Sequence, residues 1–213
     1  MATYASEEPK WAAAWTGGRR KLGRDPVFGP WVRKIGTIYL VEATQEPFFH
    51  LARTICYQQL AGAAAAIIHG RFVEALRGEV TPERVLRARE QTLRRAGLSA
   101  SKLAAIRDLA SKVRSEEVRI DDLDEQSDDE VIKRLVRVRG IGPWTAQMYL
   151  MFRLRRPDVW PTGDLGVRAG YARAHGLAEA PTAQALEPLG DRYRPWRSAA
   201  AWYCWRILET ELP

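Results

Sequence analysis

Two short stretches hold the residue types from which chemistry could be built. One is Val138-Arg139-Gly140-Ile141-Gly142-Pro143, and the other is Pro161-Thr162-Gly163-Asp164. In the first, two glycines let the backbone bend sharply and approach a surface where a side chain would stand in the way. Pro143 suits the first position of a helix. A turn that opens into a helix directs N–H groups at one point, and such a nest holds a phosphate whatever the base sequence. In the second stretch, Asp164 stands immediately before a helical pattern that runs from Leu165 to His175. A carboxylate there is either an ordinary helix cap or a charge placed to stabilise a developing cation. Taken alone, neither stretch separates the chemical reading from the plain one.

The charge points the same way as the glycine turn. There are 33 basic and 26 acidic residues among 213, a formal net charge of +7, which favours a polyanionic partner. Only two cysteines occur, Cys56 and Cys204, and no Cys-x-x-Cys pair. An iron–sulfur cluster takes about four thiolates and structural zinc a similar set, so neither is expected, and two buried free thiols are. The segment Met1 to Lys10 carries no apolar run of a signal sequence, and no apolar run approaches the roughly 20 residues of a membrane span. An intracellular, cytoplasmic protein is expected, associated with the nucleoid if bacterial, with no membrane partner and a monomer by default. His50, His69 and His175 show no ligand spacing.

The elements that must position these stretches are helical. Phe48, Leu51, Ala52, Ile55 and Cys56 fall at helical spacing after Pro47. The polar run Tyr57 to Gly62 interrupts the pattern, which resumes from Ala63 to Leu76, with four consecutive alanines that imply close helix packing. Thr81-Pro82-Glu83 opens another helix, Glu90 to Arg95 is a short one, and Ser101 to Val113 is amphipathic. Ser127-Asp128-Asp129-Glu130 reads as a capping box. Helices follow from Thr145 to Phe152, from Leu165 to His175, from Pro181 to about Leu189, and after Pro195 through Leu208. Gly17-Gly18-Arg19-Arg20-Lys21 and Asp25 to Pro30 read as loops, and Gly36 to Val41 as a short strand. The sum predicts a mainly α fold: two helical lobes flanking a cleft, with at most a minor N-terminal sheet. We read 1–213 as one domain, with lobes of about 1–45 plus 155–213 and of 46–135, and a hairpin at about 128–153.

The pattern Leu135-x-x-Val138-x-Gly140-Ile141-Gly142-x-x-Thr145-Ala146 is more specific than its glycines, and it resembles a helix-hairpin-helix. With Pro161-Thr162-Gly163-Asp164 following, the stretch resembles the HhH-GPD superfamily of DNA glycosylases. Ile55-Cys56-Tyr57-Gln58-Gln59-Leu60, and Pro195-Trp196-Arg197-Ser198 followed by Trp205, are similar to its AlkA-like branch, 3-methyladenine DNA glycosylase II. The resemblance implies that Asp164 is the catalytic carboxylate. It implies that Leu60 is a wedge entering the gap left by a flipped nucleotide, and that Trp144, Met148, Trp205 and Gln59 contribute to a base pocket. Arg139, Gly140, Ile141, Gly142 and Thr145 would meet DNA with Leu60. Met148 stands where the longer relatives have a tyrosine. Where bifunctional relatives carry a nucleophilic lysine, this chain has Trp144, which cannot form a Schiff base. No cofactor is implied beyond a monovalent cation, Na+ or K+, which hairpin carbonyls hold in relatives. Val136, Val138 and Ile141 are the matching positions.

The reading that joins these features is a monofunctional enzyme that excises alkylated purines of the 3-methyladenine and 7-methylguanine type from double-stranded DNA in base excision repair. Its target base must be flipped out of the stack. Two alternatives stay open at the sequence: a non-catalytic helix-hairpin-helix DNA binder, and a glycosylase/lyase for oxidised bases.

Overall fold

The computed structural model describes residues 10–40, 46–60 and 62–211. They form α1 (Lys10–Gly23), α2 (Phe28–Ile35), α3 (Pro47–Tyr57), α4 (Gly62–Ala75), α5 (Pro82–Arg87) and α6 (Glu90–Arg95), then α7 (Ala100–Arg114), α8 (Asp128–Leu135), α9 (Pro143–Phe152), α10 (Leu165–His175), α11 (Ala183–Leu189) and α12 (Arg197–Leu208). The chain divides at 42/43 and 149/150 into two compact units, one drawn from its two ends and one from its middle. The middle unit therefore runs past 135 and takes in the hairpin and the start of α9.

The mainly α expectation with at most a minor sheet holds, and the reading of a short strand from Gly36 is corrected. No strand occurs among the described residues. Gly36 to Leu40 is irregular, and Val41 lies outside the described residues. Extended residues become a strand only with a partner to pair with.

In the terminal unit, α12 is the central helix. Ser198, Ala199, Ala200, Ala201, Tyr203, Cys204 and Ile207 are all buried along it, and it packs on α10, α1 and α2. Small residues permit that crowding. A Cβ on Gly170 would lie 2.0 Å from the Cys204 carbonyl oxygen, so α10 and α12 meet backbone to backbone. The same physics overturns the loop reading of Gly17 to Lys21, whereas Asp25 to Val27 is a turn as expected and only Phe28 to Pro30 is taken into a helix. Gly17 and Gly18 lie inside α1, where a Cβ on Gly18 would come within 2.7 Å of the Ala199 methyl. Tertiary contact outweighs a helix propensity deficit of about 1 kcal/mol per glycine. Pro30 is the third residue of α2, where its missing N–H leaves no helical bond unmade. Two buried tryptophans here have their polar ends paired: Trp15 Nε1 donates to Arg155 O at 3.0 Å and Trp160 Nε1 to Leu186 O at 3.1 Å.

In the middle unit, α7 packs on α3, α5 and α6. Leu103, Ile106, Leu109 and Ala110 form its buried face, and Phe48, Leu51, Ala52, Ile55 and Cys56 form that of α3. Each large side chain buried this way stabilises the fold by roughly 1.5–3 kcal/mol. The alanine run of α4 behaves otherwise than its sequence suggests. Ala65 is buried, whereas Ala63, Ala64 and Ala66 are exposed. Four adjacent residues span more than a full turn, so they cannot all face one neighbour.

Thr81, Ser99, Ser127, Asp164 and Thr182 each accept a hydrogen bond from a backbone N–H three residues on. The capping box at Ser127 is half made. Ser127 Oγ accepts from Glu130 N at 3.3 Å, while the Glu130 carboxylate accepts from Arg134 Nε at 2.9 Å.

Candidate active site

The hairpin joins α8 to α9 through residues 136–142. Val138 N donates to Leu135 O and Ile141 N to Val138 O, each at 3.0 Å. Gly140 has φ +77°, and a Cβ there would lie 3.0 Å from the Ala105 methyl of α7. Both the left-handed backbone and the close approach demand glycine. Gly142 differs: a Cβ there would meet nothing within 4 Å, and its φ is not left-handed.

Three side chains that the sequence reading gave no role hold the hairpin. Asp108 Oδ2 accepts from Arg139 N at 2.8 Å and from Lys112 Nζ at 2.9 Å. Lys112 Nζ also donates to Arg137 O at 2.6 Å. Burial works against the Asp108 charge, but the Arg139 N–H and the Lys112 ammonium outweigh it and hold the carboxyl below its ordinary range. The third is Gln58, at the end of α3. Its Nε2 donates to Gly140 O at 2.9 Å and to Thr145 Oγ1 at 3.2 Å. The polar run after α3 carried the only hint, since a glutamine can donate to two acceptors at once.

Gln58 lies two residues before the expected wedge, Leu60. Gln59 is exposed and has φ +55°, an uncommon conformation for a residue with a side chain. Leu60 is 39% exposed. Trp144 is 42% exposed on the first turn of α9, and Arg139 and Gly140 are exposed as well. Ile141, Thr145 and Met148 are buried. The Ile141 side chain thus serves packing, and Thr145 Oγ1 accepts the Gln58 bond. Val138 O already accepts from Ile141 N, and a carbonyl retains a second lone pair. The neutral oxygens of Val136, Val138 and Ile141 are donors of the kind a hard monovalent cation takes. Among the described residues no group of three His, Cys, Asp or Glu side chains could hold a metal.

In the terminal unit, Asp164 caps α10. Its Oδ1 accepts from Val167 N at 2.7 Å and from Trp205 Nε1 at 2.8 Å. The turn before it is closed by Asp164 N donating to Pro161 O at 2.9 Å. Trp205, half-buried on α12, also faces Phe152 at 5.7 Å between ring centroids. Gly166 lies beneath the indole: a Cβ there would sit 2.7 Å from Trp205 Cδ1 and 3.1 Å from Asp164 Oδ1. Aspartate, tryptophan and glycine from two helices are thus interlocked. The carboxylate and the hairpin are each held by several independent contacts.

The model of the HhH-GPD superfamily of base excision DNA repair proteins matches residues 52–195, which include the second half of α3, the hairpin and Asp164. The chain belongs to this superfamily. The DNA-3-methyladenine glycosylase 1 of Schizosaccharomyces pombe is 35% identical over 165 residues, which cover 76% of this chain and 72% of that protein. The DNA-3-methyladenine glycosylase of Saccharomyces cerevisiae is 34% identical over 71% of this chain, which spans 56% of that relative's length. The solved S. pombe 3-methyladenine DNA glycosylase in complex with abasic DNA superposes with a TM-score of 0.81 at 32% identity, covering 91% of this chain and 97% of that one. A DNA-3-methyladenine glycosidase from Bacillus halodurans gives a TM-score of 0.80 at 29% identity, covering 99% and 94%. No helix among the described residues is long and apolar enough to cross a membrane.

Proposed function

We propose that this protein is a monofunctional DNA glycosylase that hydrolyses the N-glycosidic bond of alkylated purines in double-stranded DNA. The observation that carries the reading is Asp164 locked at the start of α10 by Val167 N and Trp205 Nε1, in a chain 35% identical to a DNA-3-methyladenine glycosylase.

A purine alkylated at a ring nitrogen is cationic and departs neutral, so no general acid is needed. Positive charge grows on the sugar as the bond breaks. A fixed Asp164 carboxylate stabilises that charge and directs the water that completes hydrolysis. Aromatic faces attract a cationic base by roughly 0.5–2 kcal/mol each. Trp144, Met148, Trp205 and Gln59 are assigned to base contact on this reading, and Leu60 to the wedge that offsets part of the unstacking cost of a flipped nucleotide. Trp144 carries no amine, so strand cleavage through a Schiff base is not part of the reaction.

Arg139, Gly140 and Gly142 are assigned to the DNA backbone. Among the described residues nothing lies within 4 Å of where a Cβ on Gly142 would stand. Its bareness suits the approach of a phosphate to the first turn of α9. A monovalent cation on the carbonyls of Val136, Val138 and Ile141 would add positive charge at the same place. Work on chromosomal DNA places the protein with that DNA, in the cytoplasm beside the nucleoid if the cell is bacterial.

The test is release of methylated bases from alkylated duplex, read by mass spectrometry. Asp164→Asn abolishes release while duplex binding stays within about threefold of wild type. Unchanged turnover in this variant would end the assignment. Wild-type protein that binds but releases nothing would instead establish a non-catalytic DNA binder, and a borohydride-trapped adduct would establish a lyase.

A further inference from the structure

We infer that Trp205 acts as a positioning residue through its indole N–H, and that Gly166 is the shelf that allows it to do so. The inference rests on the assignment of Asp164 as the catalytic carboxylate.

A helix cap alone leaves a carboxylate loosely defined. One hydrogen bond from Val167 N tethers Oδ1 but lets it swing about that N–H, and the carboxylate rotates about Cβ–Cγ with it. Trp205 Nε1 donates to that same oxygen at 2.8 Å from a different helix. Two donors from different directions on one oxygen fix the rotation, and with it the direction in which the other oxygen points. An indole N–H can only donate, so the bond has one sense.

The indole reaches Asp164 only because residue 166 lacks a side chain. A Cβ there would press on Trp205 Cδ1 at 2.7 Å and on Nε1 at 3.1 Å. Gly166 lies in the first turn of α10 and has no left-handed φ, so its backbone would accept alanine. The space, not the conformation, calls for glycine. Phe152, tilted 32° against the indole, limits its movement on another side.

The consequence is that one side chain links base contact to the carboxylate. A base resting on the indole and the Asp164 oxygen touch the same rigid ring system. Any displacement of the ring moves the hydrogen bond with it.

Trp205→Phe separates the two roles, because phenylalanine keeps an aromatic face and loses the N–H. We expect kcat for release of 7-methylguanine from methylated duplex to fall by about 10- to 100-fold, with KM within about threefold of wild type. Gly166→Ala moves kcat the same way by displacing the ring. Placing 3-benzothienylalanine at 205, which swaps the N–H for sulfur in the same shape, reproduces the loss if Trp205→Phe folds poorly by circular dichroism. A kcat within twofold of wild type in the benzothienyl variant, or a change in KM alone, overturns the inference. Asp164→Asn is run in parallel. If it stays active, the assignment of Asp164 fails. If it is inactive while the benzothienyl variant is fully active, only the positioning role fails.

Discussion

At the scale of single residues, Asp164 is both a cap and the proposed reactive group. Its cap bond runs to Val167 N. Asparagine caps a helix about as well as aspartate, so Asp164→Asn removes the charge and leaves α10 anchored. Loss of activity in that variant is therefore a statement about chemistry and not about folding. Asp108 plays the opposite part, since its charge supports structure. Its carboxyl sits below the ordinary range in the folded protein, against the opposing effect of burial, because of the Arg139 N–H and Lys112. A depressed folded value means that the stabilisation is present above the unfolded carboxylate pKa of about 3.9 and is lost as the pH falls through the folded value. Hydrogen exchange of the hairpin amides, compared between wild type and Asp108→Asn, is expected to show faster opening in the variant near neutral pH. The difference should close as the pH drops well below about 4. A difference that persists unchanged into acid would show that the Asp108 charge does not hold the hairpin.

At the scale of elements, the hairpin divides its glycines between inside and outside. Gly140 answers to Ala105 and to its own φ of +77°. Gly142 faces open space. Gly140→Ala is therefore expected to lower stability by about 1–3 kcal/mol, through left-handed strain and the push on α7. Gly142→Ala is expected to cost less than about 1 kcal/mol and to weaken duplex binding at least severalfold. Chemical denaturation and fluorescence anisotropy on the two variants check the pair. Equal stability losses, or wild-type affinity in Gly142→Ala, would remove the outward role. Gln58 belongs to this scale as well, because its side chain binds the Gly140 carbonyl one residue before the strained Gln59 and two before Leu60. The segment that carries Leu60, the proposed wedge, is thereby tied to the hairpin within the middle unit.

At the scale of the molecule, the net charge of +7 supplies a sequence-independent attraction to duplex. Binding of undamaged DNA is expected to weaken steeply with salt. The slope of log K against log salt should have a magnitude of at least about 2, reduced by about 0.9 in Arg139→Gln if that side chain meets one phosphate. A flat salt response in anisotropy titrations would refute the backbone contact. The two cysteines take no part in this chemistry. Both are free and buried. Burial pushes the Cys56 thiol up to about 12 despite the nearby Lys102, and burial followed by the Asp164 charge raises the Cys204 thiol. Thiols so disposed toward the protonated form are poor nucleophiles.

Much was legible in the sequence because it is written in local patterns. The buried faces of α3 and α7 follow from helical spacing, and α10 starts and stops where Asp164 and Gly176 say it should. The glycine-punctuated turn with a later Pro-Thr-Gly-Asp pointed to the family, because both motifs depend on neighbours in the chain. What the sequence could not determine depends on partners far along it. Gly17 and Gly18 read as breakers until Trp196 and Ala199 are seen packed against them. Gly166 reads as an unremarkable helical residue until Trp205, from the last helix, is found lying on it. Gln58, Asp108 and Lys112 resemble ordinary surface polar groups until their acceptors and donors arrive from positions 31 to 87 residues away or, for Lys112, 25. Local sequence sets which backbone conformations are cheap. Only the tertiary structure decides which surfaces meet, and so which glycine is a turn, which is a packing site, and which tryptophan holds the carboxylate.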